Sequence, residues 1–219
     1  MKLLLTSAGI TNTSIAKALF DLVGKEPKDT SLVFIPTAAN AEQGDKNWLI
    51  EDLVNLQKLG LKSIDITDIA LNDEMLWKSK LVVADILFFK GGDEYYLMEW
   101  INKSGLAVLL PELLKTKVFV GVSAGSMVTN KDLPTAISQI VYEEDFDKKE
   151  NVPALNFVDF YFLPHLNSPY FKSVREDIIR KATVGMIEKI YALDDNSALK
   201  IIDGKVEIVS EGIWFGINI

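Results

Sequence analysis

A regular alternation of short apolar runs with longer amphipathic stretches over residues 1–130 constrains the fold more than any other feature of this sequence. The apolar runs predict strands, at residues 3–6, 32–35, 62–66, 82–89 and 118–122. The intervening stretches place apolar residues at helical spacing and predict helices, at residues 12–23, 48–59, 94–101 and 106–114. Strands that alternate with helices form βαβ units. We therefore expect an α/β fold with a mostly parallel central sheet and helices on both faces.

Residues 131–219 follow a different pattern, with several short strands and one helix. The strands are predicted at residues 137–141, 157–163, 190–193, 199–202 and 206–210, and the helix at residues 173–187. Asp203-Gly204 separates the last two strands and is typical of a hairpin turn. We expect this part of the chain to add antiparallel strands to the edge of the sheet. Residues 143–150 are mostly charged and predict an exposed loop.

The composition is that of a soluble globular protein. Of 219 residues, 48% are hydrophobic and 25% charged, which excludes disordered, collagen-like and small disulfide-scaffold classes. No linker or repeat interrupts the chain, so we expect a single domain over residues 1–219. The formal net charge of −8 excludes the basic surface typical of a nucleic-acid-binding protein.

No apolar run approaches the roughly 18 residues of a membrane-spanning helix. The apolar start of the chain also breaks at Thr6, before a signal-peptide core of roughly seven residues is complete. We therefore expect a cytoplasmic protein with no membrane partner. The sequence does not distinguish a monomer from a homodimer.

The chain contains no cysteine and a single histidine, His165. A disulfide, a cysteine nucleophile and a site built from several histidines are therefore excluded. We expect no metal and no cofactor. Any mechanism that needs a histidine base must use His165.

A nucleophile candidate lies in the G-x-S-x-G pattern of residues 121–125, with Ser123 at its centre. The pattern follows a predicted buried strand and precedes a helix-like stretch, which is the context of a nucleophile elbow. The next residue, Ala124, would point its N–H to where an oxyanion forms. The structural alternative is that Ser123 only caps a helix.

A second loop comes at residues 88–93, where a buried strand ends in Gly91-Gly92 and a helix begins. Backbone N–H groups at such a turn bind anions, and the carboxyl ends of parallel strands line the ligand crevice. We expect Gly91 and Gly92 to face Ser123 across that crevice. Asp93 also fits the N-cap of the following helix.

His165 follows the predicted strand at residues 157–163 and is the candidate base, because a serine needs an adjacent base to become nucleophilic. A carboxylate should orient its imidazole. The candidates are Asp195 and Asp132, with Asp194, Glu143 and Glu144 as weaker ones. Chain order favours Asp195, because Ser123, His165 and Asp195 all follow predicted strands and would lie on one sheet edge.

Five segments taken together resemble one known family. They are residues 1–7, 33–38, 89–93 and 121–125, and Pro164-His165. In this order they resemble peptidase family S51, the dipeptidase E (α-aspartyl dipeptidase) and cyanophycinase group, over nearly the whole chain. The resemblance implies a fold like that of class I glutamine amidotransferases, with serine in place of cysteine, and peptide cleavage by a serine mechanism without a metal.

The resemblance also implies roles for individual residues. Ser123 would be the nucleophile, His165 the base, and the N–H groups of Gly92 and Ala124 the oxyanion hole. The D-x-P segment at residues 132–134 resembles the one that carries the acid of dipeptidase E, although its gap from Ser123 is shorter. Other relatives have an acidic residue at the position of Asp195. Both acids stay open at this point.

Gly91, Asp93 and Arg175 are expected to contact the substrate. The family's usual Gly-Gly-Gly-Asn is Lys90-Gly91-Gly92-Asp93 in this chain, which speaks against strict aspartyl specificity. Arg175 matches a family arginine that follows the histidine, and its planar guanidinium would suit an acidic substrate side chain. A solvated helix arginine is the alternative.

The function that these observations predict is a serine peptidase of small peptides, similar to dipeptidase E, that works through an acyl-enzyme. One alternative is an esterase or amidase of the α/β-hydrolase type, in which the acid precedes the histidine in the chain. Another is a binding protein that has the fold without the chemistry. A large Ser123–His165 separation would favour that alternative.

Overall fold

Two sheets form the framework of the computed structural model, which describes residues 1–71, 73–143 and 152–219. Within these ranges the strands are β1 (Lys2–Thr6), β2 (Ser31–Ile35), β3 (Ser63–Ile66), β4 (Ile86–Phe89), β5 (Val118–Val122), β6 (Phe160–Leu163), β7 (Lys189–Leu193), β8 (Ser197–Ile202), β9 (Lys205–Ser210) and β10 (Trp214–Ile217). The larger sheet has the order β3-β2-β4-β5-β1-β8-β9. Its first five strands are parallel, while β8 and β9 are antiparallel to their neighbours. The smaller sheet has the order β10-β7-β6.

Helices connect the parallel strands. In the same ranges they are α1 (Thr13–Val23), α2 (Thr37–Ala41), α3 (Asn47–Lys58), α4 (Glu74–Val83), α5 (Glu94–Lys103), α6 (Leu106–Leu113), α7 (Ala124–Met127), α8 (Thr135–Val141) and α9 (Glu176–Ala182). The first of them shows how the sequence sets its own limits. The Asn12 side chain accepts a hydrogen bond from the N–H of Ile15, and Gly24 ends the helix in a left-handed conformation.

Both faces of the central sheet are covered by helices. Leu3 and Leu5 of β1 pack into one core with residues of α4, α5 and α6, whereas Leu4 packs into a second core with residues of α1 and α3. Neighbouring side chains of a strand point to opposite faces, so covering both faces requires a continuous apolar run. This confirms the α/β fold class with a mostly parallel sheet.

The strand predicted at residues 82–89 begins too early, because its first two residues are helical. α4 continues to Val83, and the strand β4 begins only at Ile86. Val82 and Val83 are exposed, at 54% and 77%. They extend the apolar run in the sequence but take no part in the buried sheet.

The strand predicted at residues 137–141 is wrong, because this segment lies in the helix α8. Ile137 and Val141 are buried, while Ile140 is 49% exposed. Buried residues four positions apart lie on one helix face, so the spacing outweighs the β-branched composition.

The C-terminal part differs from the prediction in its pairing. β8 and β9 form the expected hairpin at the sheet edge, with Ile202 opposite Lys205. The strands predicted at residues 157–163 and 190–193 correspond to β6 and β7, which pair in parallel in the smaller sheet instead. The third strand of that sheet, β10, was not predicted from the sequence. The helix predicted at residues 173–187 is shortened to α9, and the strand predicted at residues 157–163 is shortened to β6. The loop predicted at residues 143–150 lies outside the described residues except for Glu143.

In the described part of the chain, no helix is both long and apolar enough to cross a membrane.

Candidate active site

Ser123 lies in a sharp turn between β5 and α7. Its φ of 50° and ψ of −115° are uncommon for a residue with a side chain. Its N–H donates to the carbonyl of Thr6 at 2.9 Å, which ties the turn to the neighbouring strand β1. Ser123 occupies the N-cap position of α7, but its side chain makes no capping hydrogen bond. The hydroxyl is therefore directed elsewhere.

The two glycines of the motif allow close approach of backbone segments. A Cβ at Gly125 would lie 2.1 Å from the carbonyl oxygen of Phe89, and one at Gly121 would lie 2.6 Å from the carbonyl oxygen of Gly125. Real Cβ atoms do not approach an oxygen so closely, so only glycine fits at either position. The motif thus packs the Ser123 turn directly against the end of β4.

The hydroxyl of Ser123 faces His165. Its Oγ lies 2.9 Å from Nε2 of His165, and Nδ1 of the same ring lies 2.7 Å from Oδ1 of Asp195. The Phe171 ring stacks on the imidazole, with centroids 4.4 Å apart and an interplanar angle of 11°. The structure therefore brings Ser123, His165 and Asp195 into one hydrogen-bonded chain.

His165 and Asp195 are held by the smaller sheet. β6 and β7 are neighbouring parallel strands, with Leu163 opposite Ala192. His165 follows the end of β6 by two residues, and Asp195 follows the end of β7 by two residues. Because parallel strands end at the same edge, the two side chains meet there.

The expectation that all three residues lie on one sheet edge is wrong. Ser123 follows β5 of the larger sheet, whereas His165 and Asp195 follow strands of the smaller one. The site lies between the two sheets. Asp195 is in the connection between β7 of the smaller sheet and β8 of the larger one, so the chain crosses from one sheet to the other at this residue. The hydroxyl of Ser7, which follows β1, donates to the carbonyl of Leu193 at 2.9 Å and helps to hold the two edges together.

The carboxyl of Asp195 is partly desolvated. Burial by itself would raise its pKa, but the hydrogen bond and the charge of His165, with a smaller contribution from the Ser168 hydroxyl, outweigh burial. The net result is a pKa of Asp195 below its ordinary value. Asp195 is therefore a carboxylate at neutral pH.

The other candidate acids are engaged elsewhere. Asp132 accepts a hydrogen bond from the Tyr161 hydroxyl at 2.6 Å, and Glu143 accepts one from the Ser173 hydroxyl at 2.6 Å. Asp194 accepts hydrogen bonds from the Ser197 hydroxyl and from two backbone N–H groups. Glu144 lies outside the described residues. The structure thus brings only Asp195, among the candidates it describes, to His165.

Gly91 and Gly92 lie beside Ser123. A Cβ at Gly91 would be 2.9 Å from the Cβ of Ser123, and one at Gly92, where φ is 139°, would be 2.3 Å from the carbonyl oxygen of Ala38. Asp93 caps α5, since its side chain accepts a hydrogen bond from the N–H of Tyr96 at 2.9 Å. Asp93 is not among the residues that line the cleft next to Ser123, so the structure does not bring it to the expected substrate position.

Arg175 is also absent from the lining of this cleft. Its guanidinium donates to the carbonyl oxygens of Phe171, Val174 and Ser168, at distances of 2.9 to 3.1 Å. These bonds hold the loop that places Phe171 against His165. Arg175 is therefore neither the solvated helix arginine nor the substrate-facing arginine of the two expectations.

The cleft has a volume of about 830 Å³, and both Ser123 and His165 line it. Sequence reasoning missed most of its wall. Asp52 and Trp48, both from α3, line it together with Lys90, next to Gly91. Tyr170 also lines it. The one signal in the sequence was Lys90, which departs from the family pattern. Across the described ranges, no three His, Asp or Glu side chains come together in a group that could hold a metal ion.

Several known proteins are similar to this chain over most of its length. An uncharacterized peptidase of Listeria innocua is 27% identical over 80% of this chain and 82% of its own, and one of Pasteurella multocida is 25% identical over 83% and 86%. The crystal structure of a candidate peptidase E protein from Listeria monocytogenes superposes with a TM-score of 0.76 at 25% identity, over 96% of this chain and 98% of its own. The structure of a peptidase from an acI-B1 actinobacterium shares the fold, with a TM-score of 0.67 at 18% identity over 99% and 93%. The model of peptidase family S51 matches residues 3–209, and the chain therefore belongs to that family of serine-type peptidases.

Proposed function

We propose that this serine-type peptidase hydrolyses small peptides, as dipeptidase E does, with Ser123 as nucleophile, His165 as base and Asp195 as the acid that orients the base. The observation that carries the proposal is the hydrogen-bonded chain from Ser123 Oγ to His165 Nε2 and from His165 Nδ1 to Asp195 Oδ1. This is the geometry that a serine needs to lose its proton at neutral pH.

The first half of the reaction forms an acyl-enzyme. Asp195 accepts the Nδ1–H of His165, which leaves Nε2 free to take the proton of the Ser123 hydroxyl. Ser123 Oγ then attacks the peptide carbonyl carbon, and the imidazolium returns its proton to the leaving amine as the C–N bond breaks. The low pKa of Asp195 keeps it ionised, so it stabilises the imidazolium that forms between the two steps.

The second half releases the acyl group. Water takes the place of the leaving amine, and His165 removes its proton as the water oxygen attacks the ester carbonyl carbon. The bond between that carbon and Ser123 Oγ then breaks, the imidazolium returns its proton to Oγ, and the carboxylic acid leaves. The tetrahedral oxyanion of both halves is assigned to the N–H groups of Gly92 and Ala124. The support for this assignment is the contact of the Gly91-Gly92 loop with Ser123 and the position of Ala124 at the start of α7.

Two observations weigh against the other functions considered. The chain order Ser123, His165, Asp195 differs from that of α/β-hydrolases, in which the acid precedes the histidine. The Ser123–His165 distance of 2.9 Å is within hydrogen-bond reach, which a binding protein without the chemistry would not need. A cytoplasmic location stays a prediction.

The test is a dipeptide library with mass-spectrometric readout, together with a fluorophosphonate probe. We expect cleavage of some dipeptides and labelling at Ser123. The matched control is Ser123→Ala, which removes only the Oγ and should abolish both signals without lowering the melting temperature. Full activity in that variant would contradict the assignment of the nucleophile.

A further inference from the structure

A buried ion pair forms one wall of the cleft. The Nζ of Lys90 pairs with Oδ2 of Asp52, and both residues are only 5% exposed. The Trp48 ring lies on the ammonium, with its centroid 4.7 Å from Nζ. Lys90 immediately precedes Gly91, whose Cβ position is 2.9 Å from the Cβ of Ser123. The pair therefore lies in the wall of the cleft next to the loop that contacts the nucleophile.

Lys90 is the only lysine or arginine among the described residues that line the cleft. An unpaired ammonium there would attract an acidic substrate side chain. Asp52 occupies that ammonium, so Lys90 is not available to a substrate carboxylate. The backbone of Gly9 lies against the pair, because a Cβ at Gly9 would be 2.8 Å from Oδ1 of Asp52. The carboxylate is thus held in place from two sides.

The remaining charges of the cleft are negative where it opens to solvent. Glu42, Asp45 and Glu51 line it and are exposed. Lys46 lies close by, but it is not part of the lining and donates to the carbonyl oxygens of Ala39 and Glu42. An incoming carboxylate therefore meets like charges at the rim and, inside, a lysine that is already paired.

We infer that Asp52 is a specificity-determining residue, which withholds Lys90 from acidic substrates and makes the cleft select peptides with a cationic side chain next to the scissile bond. The inference rests on the proposed function, because it concerns the substrate of the same site. Two effects discriminate between substrates. The carboxylates at the rim attract a cationic side chain, and a carboxylate side chain finds no unpaired ammonium in the cleft because Lys90 is bound to Asp52.

The first measurement compares three dipeptides that share the second residue and have Lys, Leu or Asp as the first. The expected order of kcat/KM is Lys above Leu above Asp, with about tenfold or more between the Lys and Asp peptides, the size typical of one specificity contact. If the Asp peptide is cleaved as fast as the Lys peptide or faster, the inference is wrong.

The second measurement uses Asp52→Asn, which keeps the shape of the side chain and leaves Lys90 without its counter-charge. We expect the Asp-to-Lys ratio of kcat/KM to rise about tenfold. A purely structural role of the pair would lower both values by the same factor, so an unchanged ratio in a labelled, folded variant would refute the inference.

The double variant Asp52→Asn/Lys90→Met provides a second test in case Asp52→Asn folds poorly. It removes both charges, so no unpaired ion is left buried. It should keep the wild-type order of the three peptides. A gain for the Asp peptide in the double variant would show that Lys90 is not its partner and would overturn the inference.

Glu51→Gln at the rim should lower kcat/KM for the Lys peptide relative to the Leu peptide. The control is Glu26→Gln, which neutralises an exposed charge outside the cleft. If both variants lower the ratio equally, the acidic residues at the rim do not select the cationic peptide.

Fluorophosphonate labelling separates the two proposals. If wild type is neither labelled at Ser123 nor able to cleave any of the peptides, the proposed function fails and this inference fails with it. If Ser123 is labelled and the Asp peptide is the best substrate, only the inference about Asp52 fails. Labelling without cleavage of the Lys peptide also refutes the inference.

Discussion

Nδ1 of His165 and Oδ1 of Asp195 are 2.7 Å apart, although 30 residues separate them in the chain. The contact depends on the parallel pairing of β6 and β7, which ends both strands at the same edge. Asp132 is only nine residues from Ser123 in the chain, but its carboxylate bonds to Tyr161 instead. The sequence did not decide between Asp195 and Asp132 as the partner of His165, and the pairing of β6 with β7 decides for Asp195.

We expect Asp195→Asn to reduce kcat by roughly 10³- to 10⁴-fold, because the amide favours the wrong tautomer of His165. The matched variant Asp132→Asn should retain nearly full activity. Both are measured on one substrate, with melting temperatures as the control for folding. Strong loss in Asp132→Asn together with retained activity in Asp195→Asn would reverse the assignment.

Gly91→Ala should impair the site while the fold persists. The new Cβ would lie 2.9 Å from the Cβ of Ser123, so the nucleophile has to shift. A displacement of about 1 Å at a reacting group costs up to about 10²-fold, and we expect a loss of about tenfold or more in kcat/KM.

The control for this substitution is Gly105→Ala. Gly105 has a φ of 76° and no atom within 4 Å of its Cβ position, so the variant should lose about 1 kcal/mol of stability without losing activity. Equal activity of the two alanine variants would mean that the Gly91 loop does not restrain Ser123.

Tyr161→Phe should destabilise the protein without affecting catalysis. The hydroxyl donates to Asp132 at 2.6 Å, and burial together with this bond raises the pKa of Tyr161 well above its ordinary value. A hydrogen bond to a charged group contributes about 1.5–3 kcal/mol, and partial exposure places this one at the lower end. Urea unfolding measures the loss, and a change in kcat/KM of about tenfold or more would indicate a role of Asp132 in the site.

The stability that Asp195 provides should disappear in acid. Its pKa is lower in the folded protein than the ordinary value of 3.8, so folding favours the ionised form. Such a group stabilises the fold above its unfolded pKa, and the contribution is lost as the pH falls through the folded pKa.

The measurement is the difference in melting temperature between wild type and Asp195→Asn, followed from about pH 6 to about pH 3. We expect the difference to shift against wild type towards the acid end. A difference that stays constant or moves in favour of wild type would mean that the pKa of Asp195 is not lowered by folding.

The sequence alone determined the parts of the protein that depend on local pattern. The parallel strands are recognisable because a strand covered on both faces must be apolar throughout, as in β5. The Ser123 turn is recognisable because close backbone approach at Gly121 and Gly125 tolerates no side chain. His165 needed no structure to become the candidate base, since the chain has one histidine.

Tertiary structure decided everything that depends on contacts between distant segments. Strand composition did not distinguish the strand predicted at residues 137–141 from the helix α8, because packing of Ile137 and Val141 against one core settles that choice. The pairing of β6 with β7 selected Asp195, and the packing of α3 beside the Gly91 loop placed Asp52 on Lys90. No local pattern encodes such contacts, because their partners are tens of residues apart and meet only when the two sheets and α3 assemble around the cleft.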